Sequence, residues 1–237
     1  MDYEDFDIDS LARYLHLTKM QVQRMADRGK LPGRKVAGQW RFPQAEIHHW
    51  LEDRIGVSDE SELIEMEEVL DRAPRAAGAA PVSISNKLPI EAIAVPLEAN
   101  TADSVIRAMT DLAARTGLLW DPRKMAEAVR AREKLHPTAL ESGVALLHPR
   151  RPMASILAQP FLALGRTSRG IAFGGSRGAL TDIFFLICST DDQRHLRTLA
   201  RLSRLIGDPA LLTAIREAPD ARAVHEAIAQ FEEKLPT

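Results

Sequence analysis

In the stretch DIDSLARYLHLTKMQVQRMADRGKLPGRKVAGQWRFPQAEIHHWLE, residues 7–52, the signals for two short helices follow one another closely. Asp9 stands where a helix N-cap belongs, and apolar residues at helical spacing predict that this first helix ends near residues 16–17. Thr18 can cap a second helix over residues 19–28 through its hydroxyl group. We therefore expect a helix–turn–helix unit at the start of the chain.

A β-hairpin and a third helix are predicted after these two helices. Gly29 ends the second helix as a left-handed C-terminal residue. Residues 34–36 and 40–42 have the composition of two strands joined by a turn around Gly38. Pro43 then opens the last helix of the segment. A short polar helix beside a basic hairpin is the arrangement that DNA-binding modules use.

The charge of this stretch also favours DNA as its partner. Residues 10–55 contain nine Lys or Arg and four Asp or Glu, about +5, whereas the first nine residues contain five acids. Cations contact phosphates, and Gln and Arg side chains can recognise base edges in a major groove. The candidate DNA-binding residues are Lys19, Gln21, Gln23, Arg24, Arg28, Lys35 and Arg41. A protein-binding role for the same module stays open as the alternative.

Four motifs mark this module: DIDSLARYL at residues 7–15, GKLPGRKV at 29–36, QWRF at 39–42 and Trp50-Leu51. Together they resemble the excisionase/MerR-type winged helix-turn-helix family over nearly all of its length. The resemblance implies binding of double-stranded DNA. It does not imply recombination.

The composition of the chain leaves room for two domains. There are 237 residues, 45 % of them apolar, with a net charge of −2, which suffices for the small module and one sizeable domain. We expect a winged helix-turn-helix domain at residues 1–55, an acidic helix with an Ala/Pro-rich linker at 56–85, and a second domain at 86–237.

Cysteine content and the N-terminus exclude several classes of protein. Cys188 is the single cysteine, so neither a disulfide nor a cysteine-based metal site is available, and we expect no metal and no cofactor. The acidic N-terminus does not resemble a signal peptide. The apolar run at residues 183–188 is far shorter than the roughly 20 residues that span a bilayer. We expect a cytoplasmic protein without membrane insertion.

An acidic segment follows the DNA-binding module. Residues 59–72 contain seven acids, with an apolar stripe formed by Leu63, Met66, Val69 and Leu70. This helix could pair with its copy in a homodimer, as a two-fold operator demands, or it could be a solvated spacer. Residues 74–81 are rich in Ala and Pro and resemble a loose tether.

Helices and strands alternate after about residue 86. Helices are expected at residues 101–117, 121–133, 191–206, 209–217 and 221–235, and strands at 143–147, 156–164, 170–173 and 182–188. This alternation predicts an α/β sandwich with a mixed sheet. The glycine-rich run at residues 173–178 precedes a strand, so it is interpreted as a turn and not as a nucleotide-binding loop.

His148 is the main chemical signal in the second domain, because it directly follows an apolar strand. A histidine in this place is expected to be exposed and rigidly held, as a phosphoryl acceptor must be. An arginine and a second donor nearby would stabilise the charge on the transferring group. Arg132 and His195 are the candidates, and His195 lies near the start of a helix, where phosphate oxygens bind favourably. Taken singly, each residue is equally an ordinary polar side chain.

Four motifs occur in order in this domain: Arg132-Glu133, SGVALLHPR at residues 142–150, DIFFLI at 182–187 and HLRTLARLSRL at 195–205. They resemble the fructose/mannitol-type enzyme IIA domain of the sugar phosphotransferase system, and its nitrogen-regulatory branch, over about residues 86–235. The resemblance implies an α/β sandwich and a phosphocarrier protein as the phosphate donor. It implies that His148 is the phosphoryl acceptor, that His195 assists and that Arg132 stabilises the phosphoryl group.

The sequence departs from that family around the acceptor. Leu147 precedes the histidine and Pro149 follows it, whereas the family places proline before it and a small residue after it. Three hypotheses therefore stay open. The chain is a DNA-binding regulator that senses phosphotransferase status through His148, a soluble enzyme IIA component that relays phosphate to a sugar permease, or a regulator whose enzyme IIA-like domain only binds proteins.

Overall fold

The computed structural model describes residues 5–15, 17–57, 82–175 and 178–235, with backbone alone at residue 45 and residues 53–57. The chain divides into two compact units, Met1–Pro81 and Val82–Thr237. Within the described residues, no helix is long and apolar enough to cross a membrane. The acidic segment at residues 59–72, with its proposed dimer contact, lies outside the described residues.

The described residues of the first unit form three helices and a hairpin. Its elements are α1 (Ile8–Tyr14), α2 (Lys19–Asp27), β1 (Arg34–Val36), β2 (Gln39–Arg41) and α3 (Gln44–Val57). Thr18 caps α2 as expected, and Gln21 completes the capping box. The N-cap of α1 is Asp7, so the assignment of this role to Asp9 is wrong. Asp7 takes this role because its carboxylate accepts a hydrogen bond from the backbone N–H of Ser10, while the Ser10 hydroxyl oxygen accepts one from the backbone N–H of Asp7.

The hairpin is closed by a tight turn at Ala37 and Gly38. Both residues have positive φ, 50° and 80°, which is the conformation of a two-residue turn that matches the twist of its strands. Arg34 pairs with Arg41 in the antiparallel register. Phe42, directly after β2, is fully buried, so the hairpin is fixed to the core of the unit.

The second unit is an α/β sandwich. Its elements are α4 (Ile84–Lys87), a 3-10 turn (Ile90–Ala92), β3 (Ile93–Ala94), α5 (Ala102–Arg115), α6 (Pro122–Leu135), β4 (Val144–Leu147), a second 3-10 turn (Ala154–Ile156), β5 (Phe161–Ala172), β6 (Leu180–Cys188), α7 (Asp192–Ile206), α8 (Pro209–Glu217) and α9 (Ala221–Glu232). The expected helices are present with small changes at their ends. The prediction of an α/β sandwich is confirmed.

Four strands form a mixed sheet in the order β3-β5-β6-β4. β4 runs parallel to β6, and β3 runs parallel to β5, whereas β5 and β6 are antiparallel. The two strands expected at residues 156–164 and 170–173 are one strand, β5, which continues through an irregularity between Arg166 and Ile171. The expected start at residue 156 is wrong, since Ile156 belongs to the second 3-10 turn and β5 begins at Phe161. In the sequence, the glycines at 165 and 170 suggested that the strand is interrupted there. A strand can pass such positions as a bulge.

Both faces of this sheet are buried. Along β6, Phe184 and Leu186 join the core cluster that also contains Met109 of α5 and Met125 of α6. Ile187, on the opposite face of the same strand, is equally inaccessible to solvent. Cys188 ends this strand. It is buried in the core, and this burial raises the pKa of its thiol.

Glu232 fastens the beginning of the second unit to its last helix. Its carboxylate accepts hydrogen bonds from the backbone N–H groups of Ile84 and Ser85, at 2.5 and 2.9 Å, and from the hydroxyl groups of Ser83 and Ser85. These bonds satisfy amides at the start of α4 that have no partner within so short a helix.

Glu133, on α6, holds the segment that leads toward β4. Its carboxylate accepts hydrogen bonds from the backbone N–H and the hydroxyl group of Thr138. Burial raises the pKa of Glu133 above its ordinary value of 4.5, while these two bonds and the charge of Arg132 act in the opposite direction. Because burial is the largest of these influences, the pKa of Glu133 is raised overall.

We expect the substitution Glu133→Gln to change the pH dependence of stability. Since the folded protein holds this proton more tightly than the unfolded chain, the associated stability is complete below pH 4.5 and is lost as pH rises through the raised pKa. Glutamine keeps a carbonyl acceptor and does not titrate. The free energy of unfolding of the wild type, measured by urea denaturation, should therefore fall relative to the variant across this window; a constant difference would contradict the assignment.

Candidate functional site

The two histidines singled out in the sequence meet because their strands are parallel. β4 pairs with β6 so that Leu147 lies opposite Leu186. His148 follows the end of β4, and α7 begins a few residues after the end of β6. The carboxyl ends of parallel strands lie at the same edge of a sheet. The ring centroids of His148 and His195 are accordingly 5.1 Å apart, with the rings tilted by 50°.

One nitrogen of His148 is fixed by the strand that carries it. Nδ1 donates a hydrogen bond of 2.7 Å to the backbone carbonyl of Leu146. A carbonyl oxygen can only accept, so Nδ1 carries the proton, and the lone pair of the neutral ring is on Nε2. The side chain is 2 % exposed, so the expectation of an exposed histidine is wrong. A position at the end of a strand does not by itself determine what packs against the ring.

His195 is held by both the backbone and a serine. It lies in the first turn of α7, where its N–H donates to the carbonyl of the N-cap residue, Asp191. Its Nδ1 is 3.1 Å from the hydroxyl group of Ser189, which is also buried. Ser189 was missed in the sequence, although its place between the end of β6 and the cap of α7 is a usable signal. The serine fixes the orientation of the second ring.

Arg132 is anchored in the last turn of α6. The side chain is buried, and Nη1 donates a hydrogen bond of 2.8 Å to the carbonyl of His136. The chain after His136 runs beside β4, where Ala139 pairs with Ala145. The guanidinium group is thus tied to the segment that flanks the strand ending at His148.

Two further cations lie around the first turn of α7. Burial lowers the pKa of Lys87, and the positive charge of Arg194 adds to this effect, while Asp191 opposes it. Charged groups shift one another's pKa only at short range, so Lys87, Arg194 and Asp191 lie close together. Lys87 was not considered in the sequence because α4, which carries it, was not expected. The N-terminal end of α7 therefore combines a helix dipole with nearby positive side chains.

The candidate DNA-binding residues in the first unit lie on α2 and the hairpin. Three of them already have defined partners: Gln21 completes the cap of α2, Gln23 donates to Asp27, and Lys35 lies 5.1 Å from the centre of the Trp40 ring. Arg24, on α2, and Arg28, the C-cap residue directly after it, are both exposed, as a helix that enters a groove requires.

Lys19 and Arg41 form ion pairs with acids of the N-terminal segment. Lys19 Nζ is 2.6 Å from a carboxylate oxygen of Asp9, and Arg41 Nη1 is 4.0 Å from one of Asp7. A groove of about 390 Å³ lies between this segment, α2 and the hairpin, and is lined in part by Asp9, Gln23 and Trp40. The five acids of the first nine residues are evident in the sequence, but no local pattern reveals which of them lies beside which cation.

Comparisons with known proteins agree with both resemblances. Residues 86–231 match the family model described as the phosphoenolpyruvate-dependent sugar phosphotransferase system, EIIA 2, and residues 6–55 match that of a helix-turn-helix domain. A nitrogen regulatory protein of Bradyrhizobium diazoefficiens is 32 % identical over 149 residues, which are 60 % of this chain and 95 % of the relative. A fructose-like EIIA component of the phosphotransferase system of Escherichia coli is 29 % identical over 114 residues, covering 46 % of this chain and 74 % of the relative.

Solved structures show the same fold. The nitrogen regulatory protein IIA-Ntr of Neisseria meningitidis superposes with a TM-score of 0.55 at 23 % identity, covering 61 % of this chain and 98 % of that one. The IIA mannitol protein of Escherichia coli gives 0.54 at 20 % identity, covering 60 % and 99 %. With the family match over more than half of its length, the chain belongs to the EIIA 2 family of the phosphoenolpyruvate-dependent sugar phosphotransferase system, and it carries a helix-turn-helix domain in front of that domain.

Proposed function

We propose that this protein is a DNA-binding regulator whose enzyme IIA domain accepts a phosphoryl group on His148. The observation that carries the proposal is the geometry of the histidine pair, which lies in a chain that also has a helix-turn-helix domain. The bond from Nδ1 to Leu146 leaves Nε2 as the nucleophile, and His195 lies against the ring. Cytoplasmic location and the domain limits given above complete the proposal.

The transfer step balances with a phosphohistidine protein as donor. The Nε2 lone pair of His148 attacks phosphorus, an N–P bond forms, and the N–P bond of the donor breaks, returning its electron pair to the donor imidazole. Because Nδ1 keeps its proton, the phosphorylated ring carries a positive charge that the Leu146 carbonyl stabilises. His195 and Arg132 would stabilise the charge spread over the phosphoryl oxygens, together with the N-terminus of α7.

The consequence of phosphorylation is a change of charge. A phosphoryl group adds up to about two negative charges at the edge of the sheet. Such a change alters contacts with partners without any change in the fold. A phosphocarrier protein is the proposed donor, and double-stranded DNA is the proposed target of the first unit. A homodimer would match a two-fold operator.

A second candidate function is supported by the burial of His148. With 2 % of its side chain exposed, and with Pro149 lacking a backbone N–H next to it, the domain could bind proteins without accepting phosphate. In that case the regulator would respond to partners through the shape of its enzyme IIA domain. Phosphate labelling separates the two functions.

We expect the full chain to take up an acid-labile label from phosphoenolpyruvate in the presence of enzyme I and the phosphocarrier protein. His148→Ala should abolish the label because the nucleophile is removed. His195→Ala should keep the site but slow labelling about a hundredfold, as the loss of one charge-stabilising group does. His136→Ala is the matched control, because this exposed histidine lies in the same unit. An unlabelled wild type, or label retained in His148→Ala, would contradict phosphorylation at this residue.

We expect the full chain to bind duplex DNA with an affinity that falls as salt rises. Arg24→Ala should weaken binding about tenfold or more, because an arginine on the second helix can contact a base edge or a phosphate. Arg169→Ala, an exposed arginine of the second unit, is the control and should bind as the wild type does. Mobility-shift titration measures the effect; equal losses in both variants would count against the assigned DNA surface.

A further inference from the structure

A short arm, formed by the residues in front of α1 and the start of that helix, is fixed to the hairpin. We define the N-terminal arm as residues 5–9, of which Asp9 lies in the first turn of α1. Phe6 and Phe42 exchange two backbone hydrogen bonds of 2.8 Å each, so the arm continues the hairpin as a third extended segment. The Phe6 ring stacks on Tyr14 with the ring centroids 4.9 Å apart. The position of the arm is therefore set by both backbone and side-chain contacts.

Each acid of the arm faces a cation: Lys19 and Arg41 belong to the proposed DNA surface, and Arg34 is the cross-strand neighbour of Arg41 in the hairpin. The ion pairs are Asp5 with Arg34 at 3.3 Å, Asp7 with Arg41 at 4.0 Å, and Asp9 with Lys19 at 2.6 Å. Hydrogen bonds from Ser10 lower the pKa of Asp7, and the charge of Arg41 adds to that effect. Asp7 is thus placed to remain charged at neutral pH.

The three paired cations occupy the places where phosphates would be contacted. Lys19 is the first residue of α2, and Arg34 and Arg41 are cross-strand partners in the hairpin. A carboxylate beside each of them offers the same kind of partner as a phosphate oxygen. DNA and the arm therefore require the same three side chains.

These ion pairs are weak enough for DNA phosphates to displace the carboxylates. All three ion pairs are at least partly exposed: the accessible side-chain surface is 68 % and 54 % for Lys19 and Asp9, 66 % and 30 % for Arg34 and Asp5, and 37 % and 52 % for Arg41 and Asp7. Exposed ion pairs are individually weak and are screened by salt, so a polyanion can displace them. A buried pair would be too costly to break, and it would remove the cation from use altogether.

We propose that the N-terminal arm competes with DNA phosphates for Lys19, Arg34 and Arg41, and so lowers the affinity of the helix-turn-helix domain for DNA. The inference rests on the proposed DNA binding and adds a built-in regulation of that surface. DNA would bind by exchanging three carboxylate partners for phosphates, at the cost of releasing the carboxylates to water. Removing the acids removes this cost.

The test compares neutral variants of the arm in the full chain, with a short duplex of mixed DNA sequence at low salt as the probe. Asp5→Asn and Asp9→Asn should each increase affinity about threefold, and the double variant about tenfold, in line with the strength of exposed ion pairs. The gain should shrink as salt increases, because screening weakens the competing pairs. Asp7 is left unchanged, since it caps α1.

Glu46→Gln is the matched control. It removes one negative charge from an exposed position of the same unit, in the first turn of α3. If this variant gains as much affinity as Asp5→Asn, the effect is one of net charge and the competing arm is wrong. If the wild type binds DNA and the arm variants equal it, the inference fails while DNA binding stands. If none of the proteins binds, the double variant included, both proposals fail. The thermal unfolding midpoint of Asp5→Asn should stay unchanged, since Asp5 lies outside the described helices. Asp9 lies in the first turn of α1, so Asp9→Asn should lower the midpoint slightly through the loss of a charge that the helix dipole favours.

Discussion

The parallel pairing of β4 with β6 is the constraint on which the candidate site depends. It brings the carboxyl ends of two strands to one edge, so that His148, Ser189 and His195 come together although up to 47 residues separate them in the chain. An antiparallel pairing would send these ends to opposite edges. The buried faces of both strands make a register shift costly, because every side chain would change sides. The geometry of the histidine pair is therefore as stable as the sheet itself.

Under the proposed function, the two units would bind phosphoryl groups by different means. In the first unit, exposed cations that would contact DNA phosphates already have carboxylate partners nearby. In the second unit, a hydrogen bond to a carbonyl fixes the ring whose other nitrogen would accept the phosphoryl group. The first arrangement is governed by screening and exchange of ions, and the second by the fixed position of a lone pair.

Sequence reasoning found the fold and the site to different extents. The capping box at Thr18 and the periodic apolar residues of α5 are local signals, so the elements containing them were predicted well. The continuity of β5 through Arg166 depends on its pairing with β6, which no local pattern reveals. The burial of His148, the role of Ser189 and the pairing of Lys19 with Asp9 arise from tertiary contacts. Residue types suggested the candidate chemistry of the site, but they did not show which side chains contact one another.

In the proposed phosphotransfer, Pro149 would determine where charge stabilisation comes from. Proline has no backbone N–H, so the residue directly after His148 could not donate to a phosphoryl oxygen. The stabilising groups would then be side chains and the N-terminus of α7, which lies at the same edge of the sheet. Ser189 would matter for this reason, because a histidine that replaces a backbone donor must itself be held in orientation. Under this proposal, the departure from the family pattern would place more of the charge stabilisation on His195.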